Sequence, residues 1–235
     1  MSKAAYSDWL GLAMAGLEIC GNRKGATNQN IEIPGADGAF IGHEKYGSVA
    51  APSCDYKITG DLTATALAAI KLGKVHGTGS APSLAGPYAL KTINIHTGAG
   101  DEPTFSASGV QIKSGATQTV CTFSPAIPAL SPARHALTFG AFTFTESASL
   151  ALQSADFVAD CEIDPTIING VPEAADAVKA FETVAVTMWS PNDTTAPSVT
   201  AGSGWFLFAD WDCTGSEGAM YVWTATYKKY LAVDS

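Results

Sequence analysis

Asp210-Trp211-Asp212-Cys213-Thr214-Gly215 is the stretch whose residue types come nearest to holding an ion. Alternating oxygen donors ahead of a turn glycine open a helix-loop-helix calcium loop. The position that should supply the bidentate carboxylate is Tyr221, and the flanks read as strands. Glu217 is the nearest substitute. The segment therefore reads as a solvated hairpin turn, with Asp210, Asp212 and Glu217 as the calcium candidates. Asp160, Glu162 and Asp164 alternate and so share one face of a strand. Three carboxylates at that spacing repel one another and would need a cation and a fourth ligand from elsewhere. A solvent-facing strand edge also accounts for them, since charge there discourages unwanted pairing.

Other chemistry is harder to find. His43, His76, His96 and His135 lie far apart, with neither HxH nor HxxxH spacing. Gly77-Thr78-Gly79 lacks the third glycine and following helix of a dinucleotide fingerprint. There is no G-x-S-x-G elbow and no phosphate-binding P-loop. Cys20, Cys54, Cys121, Cys161 and Cys213 are odd in number and form no CxxC, so buried reduced thiols are expected. A Cys121–Cys213 or Cys54–Cys161 bridge is open but not deducible from spacing. No nucleophile–base pair is visible. The expectation is a chain without enzymatic activity, cofactor or dedicated metal.

One dense feature remains: Trp205, Phe206, Phe208, Trp211, Tyr221, Trp223, Tyr227 and Tyr230. Period-two spacing makes them the core of two paired C-terminal strands. Such a cluster could also stack sugars or form a seam between subunits.

Composition narrows the partners. Lys and Arg number 13 against 22 Asp and Glu, a net charge of −9, and only 15% of residues are charged. No basic cluster suits nucleic acid. An acidic surface could line a conduit through which DNA slides without sticking. So few charges suit a chain whose surface is largely covered in a permanent assembly. No run approaches the ~18 apolar residues of a membrane span.

The elements that would position these residues are mostly strands. Residues 5–19 place Tyr6, Trp9, Leu10, Ala13, Met14 and Leu17 at helical spacing, which predicts an N-terminal helix, not a signal peptide. Residues 20–52 show little periodicity and are expected to form an extended arm ordered by a neighbouring subunit. Strands are expected at 61–75, 91–97, 104–112, 118–124, 136–145, 149–163, 182–190, 198–209 and 220–231. Pro172–Glu182 reads as a helix, with proline and Glu173 and Asp176 early in it. The fold class is mainly β: a sandwich or barrel, with an N-terminal helix and arm (1–52), a first β domain (53–140) and a second (141–235) carrying the flanking helix 172–182. Pro103 and Pro197 each follow an alternating stretch, Lys91–Thr97 and Val184–Trp189, and precede a small-residue strand ending in glycine. The second domain is either a duplicate of the first or similar by chance.

In overall plan the chain resembles virion structural proteins of tailed bacteriophages, the tail tube type in particular. The features that carry this are the helix Pro172–Glu182 beside strands Glu182–Ser190 and Ser198–Ala209, the arm 20–52, and the pseudo-repeat around Pro103 and Pro197. No sequence motif is shared. The resemblance implies a virion component made in the host cytoplasm. It would assemble as a homo-oligomer through arm 20–52 and its sheet edges, contact other virion proteins, and enclose an acidic lumen for DNA without binding nucleic acid specifically or any membrane. A capsid decoration or minor capsid protein, and a carbohydrate- or surface-binding β module using the C-terminal aromatics, are the rival expectations.

Overall fold

Alternation decides most of this chain. In Ser53–Ile58 the odd-numbered side chains face outward while Cys54, Tyr56 and Ile58 are buried. The same two-residue period recurs over much of the central strands, as expected of an antiparallel sheet packed on one face. The computed structural model describes residues 10, 12, 16–24, 29–34, 40–46, 51–76, 87–112, 121–130, 138–144, 150–168, 171–215 and 220–234.

In chain order the elements are β1 (Leu17–Lys24), β2 (Gln29–Pro34), β3 (Phe40–Tyr46), β4 (Ser53–Ile58), α1 (Ala64–Ala68), β5 (Val75–His76), β6 (Tyr88–Gly98) and β7 (Thr104–Gln111). They continue with β8 (Thr138–Phe139), β9 (Phe142–Phe144), β10 (Ala151–Ile168), β11 (Val171–Ser190), β12 (Val199–Thr200), β13 (Phe206–Thr214) and β14 (Tyr221–Leu231). A nine-stranded antiparallel sheet runs β1-β4-β7-β6-β10-β11-β14-β13, with β5 pairing off this path to β6. β12, β9 and β8 form a three-stranded sheet, and β2 and β3 a two-stranded one. The chain is mainly β, as the patterning predicts. Among the described residues no sheet closes on itself, so the large sheet keeps two edges, β1 and β13.

Its buried face carries Ile93 and Ile95 from β6, Ala155, Phe157, Ala159 and Cys161 from β10, Val184, Val186 and Met188 from β11, and Ala225 and Tyr227 from β14. Leu62, Leu67, Ile70 and Leu72 cover one part of that face, with Phe123 and Leu130. The small sheet covers another part. Phe142 meets Trp205 edge-on at 4.8 Å and Tyr227 at 5.2 Å, which binds the two sheets together. Each such ring, fully buried, contributes about 1.5–3 kcal/mol.

Several expected elements are replaced. The helix at 172–182 is strand: Val171–Ser190 is one 20-residue strand paired with 18-residue β10. The run Glu173–Phe181 favours helix by composition, but the long ladder with β10 and the burial of Ala177 and Ala180 outweigh that weak local preference. Pro172 is harmless there because it lies beside the turn, beyond the reach of β14, which pairs only from Ala180 onward. The strand expected at 61–75 instead contains α1, capped by Thr63, whose hydroxyl accepts from the Ala66 N–H at 3.3 Å. The strand expected at 136–145 is a hairpin of β8 and β9, turned at Gly140, whose φ is +61°. Of the strand expected at 118–124, residues 118–120 lie outside the described residues, and Phe123 makes an isolated bridge to Leu72.

The N-terminal helix falls largely outside the described residues, and its last three positions, 17–19, already belong to β1. Parts of the expected arm pair within the chain: β1 pairs with β4 of the large sheet, and β2 pairs with β3. The division at 140/141 does not interrupt the large sheet, because β6 and β10 pair across it. The two proline segments differ in setting, since β7 returns along β6 while β12 joins β9 in the small sheet.

Candidate assembly surface

The edge strand β13 departs from the alternation seen elsewhere. Its ladder to β14 is bulged between Leu207 and Ala209 and again between Ala209 and Asp212. Phe206, Leu207 and Phe208 are all exposed, Phe208 by 60%. Large apolar side chains on an uncovered sheet edge invite association.

Beside them, on the outer face of the sheet, the Lys228 ammonium sits 4.2 Å from the Phe181 ring centroid, 4.9 Å from Phe208 and 5.2 Å from Tyr230. Phe206 stacks on Tyr230 at 6.1 Å, and Tyr230 is 62% exposed. Register explains the grouping. Lys228 lies opposite both Thr183 and Phe206, while Tyr230 lies opposite Phe181, so strands β11, β14 and β13 converge on one point. Cation–π contacts at such separations are worth about 0.5–1 kcal/mol each at exposed sites. They hold the lysine above the rings.

Much of the rest of that outer face is polar. One row crosses the sheet through Asp55, Ser106, Asn94, Val158, Thr183 and Lys228. Thr92 Oγ1 donates to Asp160 Oδ1, and Asn94 Nδ2 donates to Ser106 Oγ at 3.3 Å. His96 Nδ1 lies 2.6 Å from Asp156 Oδ1, and its Nε2 lies 3.7 Å from Asp101 Oδ2. Both imidazole nitrogens thus face carboxylates. The arrangement provides surface charge, with no hydroxyl or thiol nucleophile aligned by the histidine in these contacts.

The β10–β11 hairpin forms a third feature. β6 accompanies β10 only over Ser154–Asp160, and β14 accompanies β11 only over Ala180–Ser190. Beyond those limits the two strands run on together with no other strand paired to them among the described residues, although Ile163 still packs on Ala89 and Ile112. Lys179 Nζ pairs with Glu162 Oε2 at 2.9 Å. Further out, Asp164 and Asp176 stand directly opposite each other. Ile168 (51%) and Val178 (56%) are exposed on this hairpin.

The calcium candidates do not come together. Asp210 and Asp212 lie exposed on β13, where Asp210 Oδ1 accepts from the Trp211 N–H at 2.8 Å, and Glu217 lies outside the described residues. Of the alternating trio, Asp160 is tied to Thr92, Glu162 to Lys179, and Asp164 faces Asp176. Among the described residues no three His, Cys, Asp or Glu side chains gather where they could hold a metal. His76 stacks on Tyr88 at 5.8 Å, and burial, with Lys74 nearby, lowers its pKa to about 4. His135 lies outside the described residues. None of the five cysteines forms a disulfide. Burial raises the Cys161 thiol to about 12 and so keeps it protonated.

The C-terminal aromatics divide. Trp223 and Tyr227 are buried in the core, whereas Phe206, Phe208 and Tyr230 face solvent. Half-buried Phe181 and Lys228 complete the group and were not singled out by the sequence. The signal that could have found them is the antiparallel pairing of 180–190 with 221–231, which a helix at 172–182 obscures. No protein-family model matches the chain, and no curated protein matches it significantly. Among the described residues no helix is long and apolar enough to cross a membrane.

Proposed function

We propose that this chain is a self-assembling structural subunit of a virion, of the tail tube type found in tailed bacteriophages, with no enzymatic activity of its own. The observation that carries the reading is the bulged edge strand β13, which exposes Phe206, Leu207 and Phe208 at the margin of an unclosed sheet. The helix that contributed to the resemblance is replaced by the long β10–β11 hairpin, which this reading adds to segment 20–52 as a contact arm.

Topology suits a ring. The path from β1 to β13 holds eight strands, all pairings antiparallel, so its two edge strands run in opposite directions. A second copy in the same orientation can therefore lay its β1 beside β13 and continue the antiparallel ladder. Repetition of one such heterologous contact closes a ring when the rotation allows. An obligate interface of this sort buries on the order of 2,000 Å² or more. The same reading takes the three-stranded sheet, tied through Phe142 to Tyr227, as part of the second layer of a β-sandwich. It places the Asp55, Asp156 and Asp160 face toward the lumen, where carboxylates repel DNA phosphates.

A second reading rests on Phe206, Phe208 and Tyr230, exposed rings that could stack on sugars in a carbohydrate-binding module. Negative-stain electron microscopy of the purified chain separates the possibilities. Rings or tubes support the tube subunit. Discrete trimers point to a capsid decoration protein. Single particles of one chain, with glycan binding that shifts thermal stability, favour the module.

A further inference from the structure

Resting on the assembly reading above, we infer that the outer part of the β10–β11 hairpin of one copy docks on the Lys228 aromatic patch of a neighbouring copy. Most of the large apolar side chains exposed among the described residues fall in two places, Ile168 and Val178 on the hairpin, and Phe206, Phe208 and Tyr230 on the patch. Charge divides between the same two places with opposite sign. Asp164 and Asp176 face each other across the hairpin, and neither has an ion pair among the described residues. Like charges directly opposite on paired strands destabilise the pairing, so the hairpin gains from a cation brought to it. Lys228 is a cation held above three rings with no carboxylate partner among the described residues.

One copy cannot satisfy itself. Thr183 lies opposite Lys228, and Asp176 is seven positions back along the same strand, roughly 20 Å away at the usual strand rise. Because both halves are on the same chain, the occupant is a second copy, and the contact is heterologous. It therefore closes a ring or propagates as a filament.

The test is sedimentation velocity of the full chain over a dilution series, with four proteins compared. These are the wild type, Lys228→Glu, the pair Asp164→Lys with Asp176→Lys, and all three changes combined. Each swap alone is expected to raise the concentration needed for assembly by about tenfold or more, and the combination to restore it. Swaps that assemble like the wild type overturn the inference while leaving the assembly reading intact. A combination no better than either swap also overturns it. A wild type that remains a single chain at every concentration removes both. Circular dichroism monitors folding. If Lys228→Glu fails to fold, the hairpin pair, which alters only exposed positions, decides alone: impaired assembly supports the contact and unchanged assembly refutes it.

Discussion

Glu182 carries its carboxylate into the apolar core, where Oε2 lies 3.7 Å from the Lys229 ammonium. Its Oε1 accepts a hydrogen bond from the Ala126 N–H, which fastens the segment around Ala126 over the core. Oε2 has no hydrogen bond. Burial is the main influence and raises the pKa, while the Ala126 bond and Lys229 oppose it.

Glu182→Gln tests that balance. An acid whose folded pKa is raised contributes stability that is complete below its unfolded pKa and is lost as pH rises through the folded one. The Gln variant escapes that loss. Its stability relative to wild type, measured by urea unfolding, should improve as pH rises above the unfolded carboxyl range and level off once the folded carboxyl has ionised. A gap that is flat or moves the other way contradicts the account. Lys229→Met, which strands the carboxylate, should cost about 1–3 kcal/mol at neutral pH.

Asp234 shows the opposite sign. Its burial would raise the pKa, but hydrogen bonds from Lys71, Thr122 and Ser124 outweigh that and hold it low. The bonds are 2.9, 2.9 and 3.1 Å, and the Asp234 N–H donates to the Thr122 carbonyl at 2.8 Å. A depressed carboxylate stabilises above its unfolded pKa, and the effect disappears as pH falls through the folded one. Asp234→Asn should cost about 1 kcal/mol at pH 7, allowing for its partial exposure. The difference should shrink as pH falls through the folded carboxyl's titration in the same unfolding assay.

Phe142 joins the two sheets through Trp205 and Tyr227. Phe142→Ala should destabilise the chain by about 3–5 kcal/mol, as expected for deleting a buried ring. Tyr227→Phe retains the ring contact and should cost much less. Thermal unfolding of both variants provides the comparison.

Gly73 has φ of +77°, and a Cβ built there would meet the Ala177 Cβ at 2.6 Å and the Cys121 carbonyl at 2.9 Å. Gly73→Ala therefore combines backbone strain with a clash at the base of the long hairpin, and should cost at least about 1–3 kcal/mol. Gly100, also at positive φ, has nothing within 4 Å of a built Cβ. Gly100→Ala should cost less, and equal losses at the two sites would argue against the packing described for Gly73.

The mainly β character is legible because period-two alternation at 91–97 and 220–231 is a local signal. The 172–182 segment reads as helix because Ala, Glu and Lys carry helical preference, whereas its strand state is set by pairing with another segment of the chain. The strands of segment 20–52 were hidden by Gly and Asn, which break up apolar periodicity. The Lys228 patch takes one residue from β11, two from β14 and two from β13, so it becomes visible only once register is known. Glu182 gave no sign of burial, because an acidic residue in an alternating strand normally marks the outward face.

The claim that copies of this chain complete one another is tested most directly by multi-angle light scattering on the purified protein across a hundredfold range of concentration. The account predicts a mass several times that of the 24.2 kDa chain, persisting on dilution. A mass equal to one chain throughout, with Phe206, Phe208 and Tyr230 still open to solvent, would contradict it.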